Sequence, residues 1–438
     1  MQETNFAGSE KKVVVLGGGF AGAYAARALK KNLPKGWTCT LIDRNNFLLF
    51  YPLLVEAGVG TIEPRHVVVP IRDFVRDQDF RMGEVTGVDL SSQQVRFRII
   101  GAETSTSLHY DHLVIGLGSV TKMPPVPGLA EYGFQIKSLA DSISLRDRAV
   151  RLLELANTID DENVRKALLR FVIVGANFTG IELAGEYHDF LTDARKSYSN
   201  IRREDISVVV LELSNRILSA IDEELAEYAR KNLESRGLDL RTGVTAKEIY
   251  EECIVLTDGT KMPTYTCVWA AGIAPNPLLD EIDGLPRDKG WLKCGRNLRV
   301  DGIDNVWAIG DIAKVDDPNH QNYGATAQNA VREGAHVAYN ICRVIRHEDP
   351  VAFDYNPVGS LAELGCRSAV AKVFGIKVSG LFAWWLFRTV YLMKMPSWSR
   401  RIRIVLDWTT DLFFKRDIVQ LGVPRINPSR PEFPKIGQ

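Results

Sequence analysis

The chain has 438 residues, enough for two or three domains at roughly 100 to 200 residues each. Lysine plus arginine and aspartate plus glutamate both number 54, so the overall charge gives no indication of a nucleic-acid partner, and none is expected. The six cysteines show neither CxxC nor CxxxxC spacing and no metal-ligand spacing with histidine. We therefore expect free thiols, no metal site and no disulfide-based redox chemistry.

The first predicted unit is a strand, a glycine turn and a helix. Residues 11–31, KKVVVLGGGFAGAYAARALKK, begin with a β-branched run and place alanines at helical spacing after Gly17, Gly19 and Gly22. In such a turn the first glycine permits the bend and the second leaves room for a pyrophosphate to approach the backbone. The third lets helix and strand pack closely, and the helix N-terminus offers N–H groups to the anion.

An acidic residue follows at the expected distance. A second predicted strand, TCTLIDR, ends at Asp43, 21 residues after Gly22, where a carboxylate can accept hydrogen bonds from ribose hydroxyls. We therefore predict a dinucleotide site at this turn. Three further residues are expected to contact the ligand: Phe20 and Ala21, which lie between Gly19 and Gly22, and Arg44, which follows Asp43.

A second copy of the pattern begins 158 residues later, where RFVIVGANFTGIELAG places Gly175 and Gly180 as the first copy places Gly17 and Gly22. Asn177 stands where the first copy has Gly19. Because asparagine visits left-handed backbone conformations more readily than other non-glycine residues, we expect it to be tolerated there. Its side chain is expected to crowd the approach and to make this site looser.

The acid of the second unit indicates which nucleotide it binds. The strand ISVVVLE ends at Glu212, and an acidic group there favours free ribose hydroxyls and repels a 2′-phosphate. We predict that NADH is preferred over NADPH. Two such units in one chain suggest one permanent and one exchanging dinucleotide, with hydride transfer between them.

The C-terminal region has a local excess of positive charge. Residues 388–416 contain seven basic and two acidic side chains, a net charge of +5. The longest uncharged apolar run, at 378–387, has 10 residues, whereas roughly 20 are needed to span a bilayer. We predict an interfacial anchor formed by Trp384, Trp385, Arg400, Arg401 and Arg403. The alternative is a helical pair packed on the protein core or in a dimer interface.

These motifs resemble the FAD flavoproteins with two dinucleotide-binding domains, in which FAD occupies the first unit and a nicotinamide nucleotide the second. NVWAIGDIA at 305–313 is similar to the strand whose acid, here Asp311, meets the ribityl chain and phosphates of FAD. HLVIGLGS at 112–119 contains Gly118 and resembles the strand that crosses between the domains. VWAAGIAPNP at 268–277 contains Gly272 and resembles the returning strand.

Within this superfamily the chain resembles the type II NADH dehydrogenases, single-subunit NADH:quinone oxidoreductases that do not pump protons. Residues 43–72, which include Pro52 and Leu53, are similar to the stretch that runs under the flavin. Ala327 and Gln328 match the start of the AQxAxQ motif, and 391–417 is similar to the membrane-binding C-terminus. One departure bears on the acceptor: Arg332 stands where the second glutamine of AQxAxQ is expected.

The resemblance implies an α/β fold with two Rossmann-like domains and a C-terminal membrane-associating helical segment. The implied domains are an FAD domain at 10–120 and 270–345, an NADH domain at 121–269 and a membrane-associating region at 346–438. The implied FAD-binding residues are Gly17, Gly19, Phe20, Ala21, Gly22, Asp43, Arg44, Pro52, Leu53, Gly118, Asp311, Ala327 and Gln328. Those implied for NADH are Gly175, Asn177, Gly180, Glu212 and Gly272.

Two residues are expected to act in catalysis. Glu182 would organise the nicotinamide site or relay protons, and Gln328 would lie near the flavin. As alternatives, Glu182 is a first-turn residue that complements the helix dipole, and Gln328 is a structural cap. The expected activity is FAD-dependent electron transfer from NADH to quinone at the cytoplasmic face of the cell membrane, with a possible homodimer. A soluble acceptor and a non-catalytic redox switch remain as alternatives.

Overall fold

The computed structural model describes residues 10–76, 79–102, 104–316 and 323–422, which form two compact units. Unit 1 contains the described residues up to Leu48, Val68–Val120 and Ala274–Pro357. Unit 2 contains Leu49–Val67, Thr121–Ile273 and the described residues from Val358. Residues 423–438, which belong to the predicted membrane-associating region, lie outside the described part of the chain.

The helices of the described residues are α1 (Phe20–Asn32), α2 (Leu54–Gly58), α3 (Ile71–Val75), α4 (Leu129–Tyr132), α5 (Leu139–Thr158), α6 (Glu162–Leu168), α7 (Phe178–Ala194), α8 (Glu223–Ser235), α9 (Ala327–Ile345), α10 (Gly380–Lys394) and α11 (Trp398–Asp411). The first strands are β1 (Lys11–Leu16), β2 (Trp37–Asp43), β3 (Phe47–Leu49), β4 (Val68–Pro70), β5 (Asp79–Asp89), β6 (Gln94–Ile99), β7 (Ser105–His109), β8 (His112–Ile115), β9 (Ser119–Thr121), β10 (Gly133–Phe134), β11 (Arg170–Val174) and β12 (Ser207–Glu212). The remaining strands are β13 (Asp239–Thr242), β14 (Ala246–Ile249), β15 (Cys253–Leu256), β16 (Lys261–Pro263), β17 (Thr266–Trp269), β18 (Ile273–Pro275), β19 (Arg287–Asp288), β20 (Trp291–Lys293), β21 (Val306–Ala308), β22 (Ala313–Lys314), β23 (Gly359–Gly365), β24 (Ser368–Val373) and β25 (Ile376–Ser379).

The centre of unit 1 is a seven-stranded sheet in the order β21-β8-β1-β2-β5-β6-β7. The strands from β21 to β5 run parallel, and β6 and β7 pair antiparallel. The apolar residues of β1 from 13 to 16 are fully buried, as expected for a parallel strand that is covered on both faces. The chain continues from β1 to β2 on one side and returns as β8 on the other. The C-terminal end of β1 is therefore a topological switch point, where α/β sheets bind ligands.

Helices α1 and α9 of unit 1 meet with their backbones in contact. A Cβ atom added to Gly334 of α9 would lie 2.3 Å from the carbonyl oxygen of Ala21 in α1. Because no side chain fits in that space, only glycine permits this approach. The contact holds α9, and the side chains at its N-terminus, beside the first glycine turn.

Unit 2 repeats the arrangement with a five-stranded sheet in the order β10-β17-β11-β12-β13. All of its strand pairs are parallel, and β11 is the strand at the switch point. A second, antiparallel sheet of β23, β24 and β25 packs against α7. A Cβ atom on Gly185 of α7 would lie 2.0 Å from the carbonyl oxygen of Leu364 in β23, so the helix and the strand are in backbone contact.

The two units differ in extent from the domains expected from the sequence. The chain changes unit at Val120 and again after Ile273, close to the expected boundaries at 120 and 269. However, residues 49–67 and the described residues from Val358 are grouped with unit 2 rather than with the FAD domain or as a separate region. The functional division into four segments stays a prediction.

Candidate functional site

The glycine turn of unit 1 has the geometry that a phosphate-binding turn requires. Gly17 has a φ of +96°, and a Cβ atom there would lie 2.3 Å from the carbonyl oxygen of Gly116. A Cβ atom on Gly22 would lie 1.9 Å from the carbonyl oxygen of Gly17. At Gly19, by contrast, an added Cβ would meet nothing within 4 Å. The first and third glycines are therefore required by packing, and the second faces open space at the N-terminus of α1.

Asp43 lies at the C-terminal end of β2, and the backbone around the turn holds its carboxylate in place. Its two oxygens accept hydrogen bonds from the N–H groups of Gly18 and Asn45, each 2.6 Å long. Burial raises the pKa of Asp43, although these two N–H groups oppose the shift. Arg44, the next residue, is exposed. The acid is thus directed to the turn, as the sequence predicts.

The third block of the predicted FAD site lies beside β21. Asp311 is in a short helical turn, Gly310–Ile312, and accepts a hydrogen bond of 2.9 Å from the Ser119 hydroxyl. The N–H of Gly310, which has a φ of +73°, donates to the Glu333 carboxylate over 2.5 Å. Burial, and then the charge of Asp311, raise the pKa of Glu333 to about 7. Glu333 is not among the residues predicted from the sequence, where its only signal is an acidic side chain at a buried position of α9.

The predicted residues near the flavin lie at the N-terminus of α9. The helix begins at Ala327 as predicted, and the Thr326 side chain caps it by accepting from the N–H of Asn329. Gln328 is therefore not the cap. The Tyr355 hydroxyl donates to Gln328 Oε1 over 3.1 Å, which orients the side-chain amide of Gln328.

Arg332, the departure from the AQxAxQ motif, contacts both Tyr355 and Gln328. Its guanidinium lies 3.9 Å from the centre of the Tyr355 ring and donates to the Gln328 carbonyl over 2.9 Å. A cation over an aromatic face is attracted to it. Arg332 therefore positions Tyr355, which in turn positions Gln328.

The glycine turn of unit 2 matches that of unit 1 except at Asn177. Gly175 has a φ of +106°, and a Cβ atom on Gly180 would lie 1.8 Å from the Gly175 carbonyl oxygen. The expectation of a left-handed Asn177 is wrong, because its φ of −75° and ψ of −175° are extended. Its side chain caps α7 by accepting from the Gly180 N–H over 3.0 Å, and donates to the Ala270 carbonyl over 2.7 Å. The side chain is fixed against the protein.

Glu212 repeats the role of Asp43 in the second unit. Its carboxylate accepts from the N–H of Ala176 over 2.7 Å and from the N–H of Ser214 over 2.8 Å. The sequence positions of these donors relative to the turn and the acid are the same as in unit 1. Gly272 has a φ of +74°, and its carbonyl accepts from the N–H of Lys122.

Glu182 is the fifth residue of α7, whose first turn contains no acidic residue. The alternative that it complements the helix dipole from the first turn is therefore wrong. Its carboxylate accepts a hydrogen bond from the backbone N–H of Glu363 in β23. Burial, together with the nearby carboxylates of Glu56 and Glu186, raises the pKa of Glu182 to about 8.

Of the stretch at 43–72 that was expected to run under the flavin, residues 49–67 belong to unit 2 and the rest to unit 1. Pro52 is partly exposed within a short helical turn, Tyr51–Leu53, whereas the Leu53 side chain is fully buried. A side-chain contact of Leu53 with a ligand is therefore excluded, and only its backbone is available. None of the six cysteines, all of which are described, forms a disulfide.

The C-terminal helices have one buried and one exposed face. Trp384 and Trp408 are each 8% exposed, and their ring N–H groups donate to Glu363 over 2.9 Å and to Glu56 over 2.6 Å. The prediction that Trp384 belongs to an interfacial anchor is therefore wrong, whereas Trp385 is 66% exposed. Arg401 also has a structural role, since it donates to the carbonyls of Met393 and Met395 at the end of α10.

The exposed face of these helices is strongly apolar. The large side chains on it, from α10 to the residues after α11, are Leu381, Phe382, Trp385, Met393, Trp398, Ile402, Val405, Leu406, Leu412, Phe413 and Phe414. Within the described ranges, no helix combines the length and the apolar character needed to cross a bilayer. An apolar surface of this kind is typical of a protein or membrane contact.

Comparisons with known proteins agree with this geometry. Residues 11–334 match the family model of the pyridine nucleotide-disulphide oxidoreductases, and residues 358–417 match that of the NDH2 C-terminal domain. A probable NADH dehydrogenase of Dictyostelium discoideum is 30% identical over 416 residues, which cover 93% of this chain and 91% of that protein. The type II NADH:quinone oxidoreductase of Mycobacterium tuberculosis is 28% identical over 420 residues, with 92% and 89% covered.

The fold is also that of a solved structure. The structure of NDH2 from Plasmodium falciparum in complex with NADH is 21% identical, has a TM-score of 0.87, and matches 94% of this chain and 100% of that chain. The predicted α/β fold with two Rossmann-like units and C-terminal helices is confirmed. The chain belongs to the pyridine nucleotide-disulphide oxidoreductase family and, within it, to the type II NADH dehydrogenases.

Proposed function

We propose that this chain is an FAD-dependent enzyme that transfers electrons from NADH to a membrane quinone without pumping protons. One observation carries the proposal: each unit has the same glycine turn with an acid held by two backbone N–H groups, in a chain that ends in an NDH2 C-terminal domain. Two such sites suit a resident flavin and an exchanging nucleotide. The quinone is suggested by the name of the Mycobacterium tuberculosis relative.

Unit 1 contains the residues that fit FAD. Added Cβ atoms at Gly19 and Gly118 would meet nothing within 4 Å, so a pyrophosphate or ribityl chain can approach the backbone at both places. The Asp43 carboxylate has roughly four lone-pair sites, and its two backbone bonds leave capacity for ribose hydroxyls. The Asp311 carboxylate accepts a hydrogen bond from the Ser119 hydroxyl and has further lone pairs for a ligand hydroxyl. When bound, FAD accepts a hydride from NADH and passes two electrons on.

Unit 2 contains the residues that fit NADH. Glu212 is placed to accept the ribose hydroxyls, and Gly175, Gly180 and Gly272 form the backbone around the pyrophosphate. Glu182 is proposed to hold a proton near the reacting groups, since its raised pKa keeps it largely protonated at neutral pH. The overall reaction, NADH plus a proton plus quinone giving NAD⁺ plus quinol, takes one proton from solvent for each quinone reduced.

The exposed apolar face of α10 and α11 is proposed to lie in the interfacial region of a membrane, on its cytoplasmic face. Side chains such as Phe413 and Phe414, 78% and 72% exposed, have the size and position to enter the acyl boundary. The contribution of charge is smaller than the sequence suggests. Of the seven basic residues between 388 and 416, Arg388, Arg401 and Arg416 bind partners within the protein. The alternative is that a second copy of the chain covers this face in a homodimer.

The first prediction tests the activity itself. The purified protein is expected to carry one non-covalent FAD and to oxidise NADH with a short-chain quinone as acceptor. Flavin absorbance after denaturation and NADH consumption at 340 nm, on the order of 1 to 1000 turnovers per second, measure the two properties. Turnover with a soluble iron–sulfur protein but not with quinone would favour a soluble acceptor. Negligible turnover with both would favour a redox switch without catalysis.

The second prediction concerns nucleotide choice. Glu212→Gln removes the negative charge that repels a 2′-phosphate and disturbs one backbone bond. We expect kcat/KM for NADH to fall by a factor that corresponds to about 1 to 3 kcal/mol. The ratio of kcat/KM for NADH to kcat/KM for NADPH should also become smaller. The equivalent change in unit 1, Asp43→Asn, is the control, since it should lower FAD occupancy without changing nucleotide preference. An unchanged NADH-to-NADPH ratio in Glu212→Gln would contradict the assignment.

The third prediction concerns Gln328. Tyr355→Phe removes the hydroxyl that orients the side-chain amide of Gln328. We expect KM for quinone to rise about fivefold, because the lost hydrogen bond contributes about 1 kcal/mol. The rate of flavin reduction by NADH should not change. Tyr339→Phe, on the exposed side of the same helix, is the matched control. Equal quinone KM values in all three proteins would rule out a role of Tyr355 in positioning Gln328.

The fourth prediction concerns the membrane. Ile402→Glu combined with Leu406→Glu places charges on the exposed face of α11, where the native side chains are 59% and 58% exposed. Each apolar side chain withdrawn from the membrane costs about 2 kcal/mol, so binding to anionic vesicles should fall by more than 100-fold. FAD content and turnover with a water-soluble quinone should persist.

Ile100→Glu, an exposed apolar residue outside this segment, serves as the control for the fourth prediction. Vesicle sedimentation and analytical ultracentrifugation separate the two possible occupants of the face. If the double variant still binds vesicles tightly but changes from dimer to monomer, the face is a dimer interface.

A further inference from the structure

Four glutamates come together inside unit 2. Glu56 of α2, Glu186 of α7 and Glu363 of β23 are 2%, 3% and 2% exposed. Glu182 lies one helical turn before Glu186, and its carboxylate accepts the backbone N–H of Glu363. Burial disfavours the charged form of a carboxyl group, and neighbouring carboxylates repel one another.

Two arginines partly compensate these carboxyl groups. Arg388 lies between the rings of Trp384 and Trp408, at 4.2 and 4.8 Å from their centres, and its Nη2 is 3.6 Å from Glu56 Oε2. Arg416 Nη1 is 3.2 Å from Glu186 Oε2. Four carboxyl groups thus face two guanidinium groups. Full ionisation would leave two uncompensated negative charges in a buried place, which is costly, so the cluster retains protons at neutral pH.

The pKa values of two members, Glu186 and Glu363, are shifted in the direction that this count requires. Burial, followed by the charge of Arg416 in the opposite direction, leaves the pKa of Glu186 raised to about 7. Burial and then the charges of Glu56 and Glu186 raise the pKa of Glu363 well above its ordinary value. The other titratable or charged groups around the cluster and its cavity are His188, Asp189 and Asp193 of α7, Lys196, Arg203, Arg236, Arg367, Tyr391 of α10, Asp411 at the end of α11, and Lys415.

A cavity of about 670 Å³ connects two of the four glutamates to the surface. Its lining includes the buried Glu186 and Glu363 as well as the exposed Cys366, Phe413 and Phe414. Glu186 Oε2 accepts no aligned hydrogen bond within the described part of the chain and faces the Arg416 guanidinium, 3.2 Å away, which also lines the cavity. Glu182, which is partly exposed, does not line the cavity.

We propose that Glu186 and Glu363 take up a proton from this cavity and pass it to Glu182, which supplies the one proton that quinone reduction draws from solvent. The inference rests on the proposed function. The balance is complete: a carboxylate of the pair gains a proton from water and returns to the carboxylate form when Glu182 receives it. The electrons come from NADH, and no other reactant is needed.

The proposed proton transfer explains why both the carboxylate and the backbone N–H of Glu363 are held by hydrogen bonds. Trp384 donates its ring N–H to Glu363 Oε1, while the backbone N–H of Glu363 donates to Glu182. These contacts leave Glu363 Oε2 as the oxygen that can carry the proton. A purely structural pair would need no access to solvent, whereas both members of this pair line the cavity.

The test compares Glu363→Gln and Glu186→Gln with the native protein, because glutamine preserves the shape of glutamate and cannot transfer the proton. Stopped-flow reduction of the flavin by NADH should be unchanged. Reoxidation by a short-chain quinone should slow on the order of 100-fold. Reoxidation by ferricyanide, which accepts electrons without protons, should stay at the native rate. Glu224→Gln, an exposed glutamate of α8 paired with Lys377, is the matched control.

The pH profile gives a readout that a structural role would not move. Because Glu186, whose pKa burial raises to about 7, must be protonated before it can pass a proton to Glu182, quinone-dependent reoxidation by the native protein should be fastest below about pH 7 and fall above it. In Glu186→Gln this fall should disappear from the slow residual rate, and in both variants the solvent isotope effect should differ from the native value. Native-like reoxidation rates and an unchanged pH profile in both variants would overturn the proposal.

Cys366 provides a second test that does not depend on how the glutamine variants fold. It is exposed and lines the cavity, so a bulky maleimide on its thiol should obstruct proton entry. Quinone-dependent reoxidation should slow several-fold and the ferricyanide rate should not. Cys366→Ser should make the protein insensitive to the reagent. If full modification leaves the quinone rate unchanged, the cavity is not the entry route; if the native protein reduces no quinone, it is the proposed function that fails.

Discussion

The contact between the helix glycine and the carbonyl of the turn glycine sets the geometry on which both nucleotide sites depend. The distance from an added Cβ would be 1.9 Å at Gly22 and 1.8 Å at Gly180, so any side chain would push the helix away from the strand. With the helix this close, its first N–H groups point across the end of the sheet. The same closeness lets Asp43 and Glu212 reach the turn from the neighbouring strand. A single constraint on residue size therefore places the phosphate site and the ribose acceptor together in each unit.

The features that could be predicted from the sequence are those that depend on residues close together along the chain. The turns around Gly17 and Gly175 and the helix start at Ala327 are local features, because strand, turn and helix follow one another within about 20 residues. The interaction of Glu363 with Glu182 joins residues far apart in the chain, and β23 has no local pattern that indicates its partner. The error at Asn177 had a different cause. Backbone propensity suggested a left-handed residue, whereas an asparagine before a helix is at least as well suited to cap it.

The C-terminal helices show how composition can mislead about charge and aromatic residues. Tryptophan and arginine residues interspersed along a segment are typical of an interfacial helix. Here, however, the Arg388 guanidinium stacks on the rings of Trp384 and Trp408 inside unit 2. Their polar atoms bind buried glutamates, which no hydropathy pattern would reveal. The surface that remains consists mainly of aliphatic and phenylalanine side chains. The proposed association with a membrane would then depend more on buried apolar area than on charge, and it should be less sensitive to salt than the net charge of this segment suggests.

The difference between the two turns bears on which nucleotide stays and which exchanges. In unit 2 the Gly180 N–H is occupied by the Asn177 side chain, whereas Gly19 in unit 1 has no side chain that could compete in this way. A hydrogen bond contributes about 1 kcal/mol, so withdrawing one donor from the anion site weakens phosphate binding by roughly a factor of five. Crowding by Asn177 is not the reason, because the side chain is turned to the protein. A donor already in use is thus an argument for the proposed looser second site, in which NADH would exchange while FAD stays bound in unit 1.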